Sequence, residues 1–255
     1  MNIGFSTGSL ALGDFQSAIR MLANSSANVI ELSALREREF DDLLHCIENL
    51  NLKQYKYISF HAPSKLEIYS EERIVRNLKK VIDYGWPIVV HPDIIKDFKL
   101  WRTLGSFLCI ENMDKRKPIG RTTSDLEAIF MYLPEASFCF DLAHVRQVDP
   151  TMTEASTMLK RVGHKLKQLH VSDVNTRSIH EPLNLEAIFA FRKVSYMIDK
   201  DIPIILESTI QKEKIEFEMQ FASLIFDDVK FGQFIDAFKS YTQYIHQKSG
   251  VHARV

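Results

Sequence analysis

The sequence predicts an α/β protein, a single (β/α)8 TIM barrel that spans residues 1–255 and carries an extra C-terminal helix. Three observations lead to this fold class. Short apolar runs alternate eight times with amphipathic segments of helical periodicity. Several of these runs are apolar throughout, which is typical of parallel strands covered on both faces. The length of 255 residues is usual for a barrel of this type.

The predicted strands allow two parallel folds, and the turn after the first strand favours one of them. The strands cover residues 2–6, 28–33, 55–61, 87–91, 107–111, 137–141, 166–173 and 202–207. A doubly wound open sheet is the alternative, and it usually carries a glycine-rich phosphate-binding turn after its first strand. The turn here reads STGSLALG and lacks that fingerprint, so the closed barrel is favoured.

The predicted helices have apolar residues at positions i, i+3, i+4 and i+7. They cover residues 14–25, 39–52, 70–84, 124–133, 154–166 and 184–200. The group Thr123-Ser124-Asp125 is a helix-start signal, and Gly85 and Gly105 are helix-end signals just before the next strand. Beyond residue 212 the pattern predicts a last barrel helix and then the extra helix at about 231–247.

Composition narrows the class of protein. The formal net charge of -1 gives no global basic field of the kind a nonspecific nucleic-acid binder shows. The three cysteines, Cys46, Cys109 and Cys139, have no metal or redox spacing, and the last two are expected in the core of a protein from a reducing compartment. The chain has no signal-peptide pattern and no apolar run near the roughly 18 residues of a membrane span. We therefore expect a soluble, cytoplasmic protein without a membrane partner.

The predicted strands end on ionisable residues, which is the main functional signal. These are Glu31, His61, His91, Glu111, Asp141, His170 and Glu207, with His144 and His180 shortly after two of the strands. In a (β/α)8 barrel the carboxyl ends of the strands form the active site, so these side chains are expected to converge. Carboxylates so close together repel one another, and a divalent cation held by His, Asp and Glu resolves the conflict. The sequence thus predicts a metal site.

Six short motifs carry a resemblance to a known family. HAPS, HPD, CIENMD, FDLAH, HVSD and ILE follow one another in the order and places typical of the xylose isomerase-like TIM barrel superfamily. That group, which the chain resembles from residue 2 to about 210, includes sugar phosphate isomerases and epimerases and also endonuclease IV. The resemblance implies one metal held by Glu111, Asp141, His170 and Glu207, with the two glutamates acting as acid and base.

The endonuclease IV-like members imply further ligands. His61 and His91 match ligands of an additional metal to which Glu111 bridges. His144 and His180 match two ligands of a third metal, but Ser178 stands where the remaining carboxylate ligand is expected. A neutral hydroxyl is a poor substitute for a carboxylate, which weakens the third site.

Two enzyme hypotheses and one non-catalytic hypothesis follow. The leading one is an isomerase or epimerase of a sugar or sugar phosphate that uses one or two divalent ions (Mn, Zn, Mg or Co). Its substrate would contact Glu31, His144, Arg177 and His180, and basic loop residues such as Lys115, Arg116 and Lys117 suit phosphate. The alternative is an endonuclease IV-like, multinuclear zinc phosphoester hydrolase with a nucleic-acid substrate. A non-catalytic metal-binding barrel is the third hypothesis, and homo-oligomerisation is left open.

Overall fold

The computed structural model describes residues 1–34 and 36–227. The extra helix predicted at about 231–247 lies outside the described residues. Within them, eight parallel strands pair in one continuous ring, and the last strand closes against the first. The predicted TIM barrel is therefore confirmed.

The barrel strands are short, and their bounds lie within the predicted runs. They are β1 (Ile3–Ser6), β2 (Val29–Ser33), β3 (Tyr57–His61), β4 (Ile88–Val90), β5 (Leu108–Glu111), β6 (Ser137–Asp141), β7 (Leu166–Val171) and β10 (Ile204–Leu206). Between β7 and β10 the chain also forms a small antiparallel hairpin of β8 (Asp173–Val174) and β9 (His180–Glu181). The predicted seventh strand, 166–173, was thus too long.

Ten helices connect or follow the described strands. They are α1 (Thr7–Leu10), α2 (Phe15–Leu22), α3 (Glu37–Cys46), α4 (Glu71–Ile82), α5 (Phe98–Trp101), α6 (Thr123–Tyr132), α7 (Leu142–Val148), α8 (Thr153–Val162), α9 (Leu185–Ser195) and α10 (Ile215–Phe226). None of them is long and apolar enough to cross a membrane.

Helix α4 shows how the local sequence sets these bounds. The Ser70 hydroxyl caps its start by accepting a hydrogen bond from the Arg73 amide at 3.3 Å. Its buried stripe packs onto the barrel, and Gly85 ends the turn beyond it with φ of 75°. Helix α6 corrects the predicted start: Thr122, not Thr123, is its cap, paired reciprocally with Asp125.

The strand register decides which residues reach the carboxyl end of the barrel. Asp141 and His170 lie side by side on β6 and β7, and His61 pairs with Ser33, the last residue of β2. Glu31 instead pairs with Ser59, two residues before β2 ends. The prediction that Glu31 ends its strand is therefore wrong, because its side chain lies one layer deeper in the barrel.

The core has two parts. Large apolar side chains such as Trp101, Phe40 and Phe138 are fully buried in the main cluster, which includes residues of both strands and helices. A small separate cluster comprises Val89, Cys109 and Cys139 on β4, β5 and β6. The two cysteines are free and buried, as predicted for small core residues.

Candidate metal centre

Six predicted metal ligands form two overlapping groups at the carboxyl ends of the strands. In the first group, called here the tetrad, one ligand atom each from Glu111, Asp141, His170 and Glu207 lies within 4.8 Å of the others. In the second group, the triad, the same holds for His61, His91 and Glu111. His91 and Glu207 come one residue after β4 and β10, so both still reach this end of the barrel.

Glu111 belongs to both groups, and each of its carboxylate oxygens faces two imidazoles. Oε2 lies 3.2 Å from Nε2 of both His61 and His91. Oε1 lies 3.3 Å from Nδ1 of both His144 and His170. Burial opposes ionisation of this carboxyl, but the surrounding imidazoles hold the pKa of Glu111 well below its usual value. Glu111 therefore has the position of a carboxylate that bridges two ion sites.

His170 is oriented by a buried carboxylate beneath it. Its Nε2 lies 3.0 Å from Oε2 of Glu31, which also accepts hydrogen bonds from Gln168 and from Ser59. With Nε2–H donated to Glu31, the lone pair of Nδ1 points at the tetrad. This carboxylate–histidine arrangement is common behind metal ligands because it fixes the tautomer and the ring. Glu31 is fully buried and contacts His170, and its predicted contact with substrate stays a prediction.

Two tests of the donor set indicate that the residues fit a divalent ion. The buried atoms Oδ2 of Asp141, Nδ1 of His170 and Nδ1 of His91 have no hydrogen-bond partner, and the first two lie in the tetrad. Burial, reinforced by Glu207 and Glu111, raises the pKa of Asp141 to about 6. Imidazole and carboxylate donors of this kind suit Zn²⁺ or Mn²⁺, and a cation would neutralise the crowded acids.

His144 and His180 line the cavity above these groups. The pKa of His144 is lowered by burial but raised more strongly by Asp141 and Glu111, to about 10. Burial lowers the pKa of His180 to about 4, and its Nε2 lies 3.6 Å from Oε2 of Glu207. The Ser178 hydroxyl donates to Gln147 at 2.7 Å. Among the described residues, the two metal-compatible groups do not include His144, Ser178 or His180.

A cavity of about 520 Å³ opens above the ligands. Three cationic side chains, Lys65, Arg116 and Lys117, line it together with His61, His91, Glu111, His144, His180 and Glu207. Arg177 is exposed and does not line this cavity; its carbonyl accepts a hydrogen bond from Arg116 at 3.1 Å. Arg116 lines the cavity in place of Arg177, and the substrate contact of Arg177 stays a prediction.

Sequence reasoning missed three residues that shape the site. Asn112 links the ends of β5 and β6 through hydrogen bonds to the backbone N–H and carbonyl of Asp141, at 2.8 and 2.9 Å. Gln168 supports Glu31, and Lys65 lines the cavity. Asn112 was visible beside Glu111 in the IEN motif, and Lys65 follows the HAPS motif directly.

Comparisons with solved structures place the fold among known barrels. A 3-DHS dehydratase from Bacillus anthracis, described as probable, matches with a TM-score of 0.61 at 12% identity over 88% of this chain and 99% of that one. Endonuclease IV from Thermus thermophilus matches with a TM-score of 0.56 at 16% identity, again over 88% and 99%. A sugar phosphate isomerase/epimerase from Anabaena variabilis, described as putative, gives 0.55 at 13% over 90% and 88%.

The chain has the TIM barrel fold of these proteins. Further matches are described as xylose isomerase-like or as xylose isomerase domain proteins, which confirms at the level of fold the resemblance read from the sequence motifs. Comparisons with protein-family models and with curated proteins gave no match. At identities this low the matches establish the fold, and the reaction has to be argued from the site itself.

Proposed function

We propose that the protein is a two-metal hydrolase of phosphate esters. The observation that carries this proposal is the position of Glu111, whose two oxygens face the triad on one side and the tetrad on the other. Paired divalent ions in hydrolases activate the attacking water and stabilise the charge on the attacking and leaving oxygens. The second set of ligands, His61 and His91 with Glu111, provides a place for the second of two such ions.

The side chains have distinct roles in this proposal. His61, His91 and Glu111 would hold one ion, and the tetrad would hold the other. Glu31 keeps His170 in the ligating tautomer through the 3.0 Å contact beneath it. Lys65, Arg116 and Lys117 give the cavity donors that suit the oxygens of a phosphate group. The cavity volume of about 520 Å³ favours a small phosphate ester over a nucleic-acid duplex.

A sugar isomerase or epimerase is the second candidate, favoured by the tetrad with its two glutamates. In that reaction Glu111 and Glu207 would move a proton at a carbon beside a carbonyl group. Each oxygen of Glu111 already faces two imidazole nitrogens at 3.2 or 3.3 Å, which leaves it poorly placed to take a proton from carbon. For this reason the hydrolase ranks above the isomerase that the sequence favoured.

The test removes the triad and leaves the tetrad in place. The double variant His61→Asn/His91→Asn is compared with His164→Asn, which changes an exposed histidine that belongs to neither ligand group. The proposal predicts two divalent ions per chain in the wild type and in His164→Asn, and one in the double variant. Hydrolysis of p-nitrophenyl phosphate should fall by about 100-fold or more in the double variant.

The isomerase candidate makes the opposite prediction for the same variants. If the protein is an isomerase, the wild type should hold one ion per chain. The double variant should then still convert aldose or ketose substrates. That result, with no phosphate-ester hydrolysis by the wild type, would exclude the two-metal hydrolase. Thermal unfolding of each variant separates a loss of activity from a loss of fold.

A further inference from the structure

Lys117 differs from the other two cations that line the metal cavity because it is largely buried. Its side chain is 14% exposed, whereas that of Arg116 is 53% exposed and Lys65 is an exposed residue. Burying an ammonium group costs free energy unless partners or a ligand compensate for the lost water. The position of Lys117 beside the ligand groups therefore needs an explanation.

The partners of Lys117 tie it to the triad side of the cavity. Its Nζ donates to Oδ2 of Asp93 at 2.7 Å and to the carbonyl of Ser64 at 3.4 Å. Asp93 comes two residues after His91, and Ser64 comes three residues after His61. The loop after β5 thus crosses to the loops after β4 and β3, and it brings a fixed positive charge to the side of the cavity where the triad lies.

The loop that carries Lys117 is held in shape by its own contacts. The Met113 amide donates to the carbonyl of Gly120 at 2.8 Å, and Gly120 has φ of 86°, a conformation that favours glycine. A Cβ at Gly120 would lie 2.6 Å from the side chain of Pro92, so a glycine is needed for this close approach. Arg116 is fixed by a fork of hydrogen bonds to Asp114. The loop therefore presents Lys117 in one place.

The charge and donors of Lys117 suit an anionic ligand. An ammonium group has three N–H donors, and Asp93 and Ser64 take two of them. Asp93 offsets the ammonium, and the carboxylates of Glu111, Asp141 and Glu207 balance three of the four positive charges of two divalent ions, so one positive charge remains. A phosphate oxygen in the cavity would accept the remaining N–H and balance the excess positive charge.

We propose that Lys117 binds a non-bridging oxygen of the substrate phosphate and that this substrate is a phosphate monoester. The inference rests on the proposed hydrolase function. The contacts of Lys117 with Asp93 and Ser64 place its charge in the wall of the cavity beside the loops after β3 and β4. A terminal phosphate carries two negative charges at neutral pH, one more than a diester, so it gains more from this lysine.

The reaction balances with water as the second reactant. The water oxygen forms a new P–O bond as the ester P–O bond breaks, and the proton lost by water goes to the released alkoxide. The products are inorganic phosphate and an alcohol. Lys117 acts by binding the phosphate and takes no part in the transfer of the proton.

The experiment compares Lys117→Met and Lys117→Arg with Lys99→Met, which changes an exposed lysine on α5 outside the cavity. Each protein is tested with its ions for metal content, for binding of inorganic phosphate by calorimetry, and for hydrolysis of p-nitrophenyl phosphate and bis(p-nitrophenyl) phosphate. Lys117→Met should keep two ions per chain and bind phosphate about 30-fold more weakly.

The two substrates separate monoester recognition from a general effect. In Lys117→Met, KM for the monoester should rise by about 30-fold with a smaller change in kcat, and kcat/KM for the diester should fall less than about 3-fold. Lys117→Arg should recover part of the phosphate affinity, and Lys99→Met should match the wild type.

Three results would overturn the inference. Unchanged phosphate affinity in Lys117→Met, with an active wild type, refutes the role of Lys117 and leaves the hydrolase in place. Loss of an ion from Lys117→Met shows that the lysine acts through the metal site and not on phosphate. A wild type that holds one ion and neither binds phosphate nor hydrolyses either ester refutes the hydrolase and this inference together.

Discussion

At the scale of single residues, the site is organised by carboxylates that act on imidazoles. Each carboxylate oxygen of Glu111 lies next to two imidazole nitrogens. Glu31 contacts Nε2 of His170, the ring nitrogen that points away from Glu111. Burial raises the pKa of Glu31, but His170 lowers it more, so Glu31 stays charged where a neutral acid would hold the ring less firmly. Glu31, which belongs to neither ligand group, thus sets the orientation of the predicted ligand His170.

Changing Glu31 tests this arrangement. Glu31→Gln keeps the size of the side chain and removes the charge that stabilises the Nε2–H tautomer of His170. We expect the ion in the tetrad to bind 10- to 100-fold more weakly, roughly the usual cost of losing such a support, while the triad ion is unaffected. Competition with a chromophoric chelator measures both affinities. Ser59→Ala, which removes a single 3.1 Å donor to Glu31, is the matched control. Equal affinities in Glu31→Gln and the wild type would contradict this role.

At the scale of secondary-structure elements, loops that carry site residues are tied to one another by buried acids. Glu218 on α10 accepts a hydrogen bond from the Leu183 amide at 2.8 Å and another from the Ser208 hydroxyl. Ser208 follows Glu207, and Leu183 follows the β9 strand that begins at His180. Helix α10 therefore holds together the two segments that carry Glu207 and His180, both of which line the cavity.

The pH dependence of stability follows from this buried acid. Burial raises the pKa of Glu218 from its usual 4.5 to about 7. Its contribution is therefore fully present below pH 4.5 and is lost as pH rises through 7, because ionising the buried carboxyl then costs free energy. Both hydrogen bonds reach Oε1, which glutamine retains. Glu218→Gln should thus be more stable than the wild type at pH 8 by about 2 kcal/mol, with little difference at pH 4.

Urea unfolding in the presence of a chelator measures this difference at both pH values. Glu213→Gln, an exposed position just before α10, is the control and should follow the wild type. A Glu218→Gln protein that is less stable than the wild type at pH 8 would show that the charged form of Glu218 is the one the fold favours.

At the scale of the whole molecule, the barrel and the residues at the carboxyl ends of its strands could be predicted from the sequence. Both depend on the order in which strands and helices follow one another along the chain. Each strand-end acid or imidazole lies near a motif such as IEN or HPD, and parallel closure brings the motifs together. The depth of Glu31 could not be predicted, because it depends on the register between β2 and β3. The place of Arg177 depends on the turn after β8, which no sequence period fixes.

Metal removal should affect the stability of the whole barrel. Ions that bind only the folded protein stabilise it by about 4 kcal/mol at a thousand times Kd, and their loss leaves only the neighbouring imidazoles to balance three adjacent acids, Glu111, Asp141 and Glu207. For a chain of this length, chelation should lower Tm by about 10 °C, and added Zn²⁺ or Mn²⁺ should restore it. Asp141→Asn should show a smaller response to chelator than the wild type. An identical Tm with and without chelator would mean that the two groups hold no ion.

The central claim is that Glu111 joins two ion sites. The most direct measurement is an anomalous difference map from crystals of the protein grown with Zn²⁺ or Mn²⁺, with data collected at the absorption edge of the metal. We predict two peaks, about 3.5–4 Å apart, with one oxygen of Glu111 at each. One peak is expected beside His61 and His91 and the other beside Asp141, His170 and Glu207. A single peak at saturating metal, or no peak in contact with Glu111, would contradict the account.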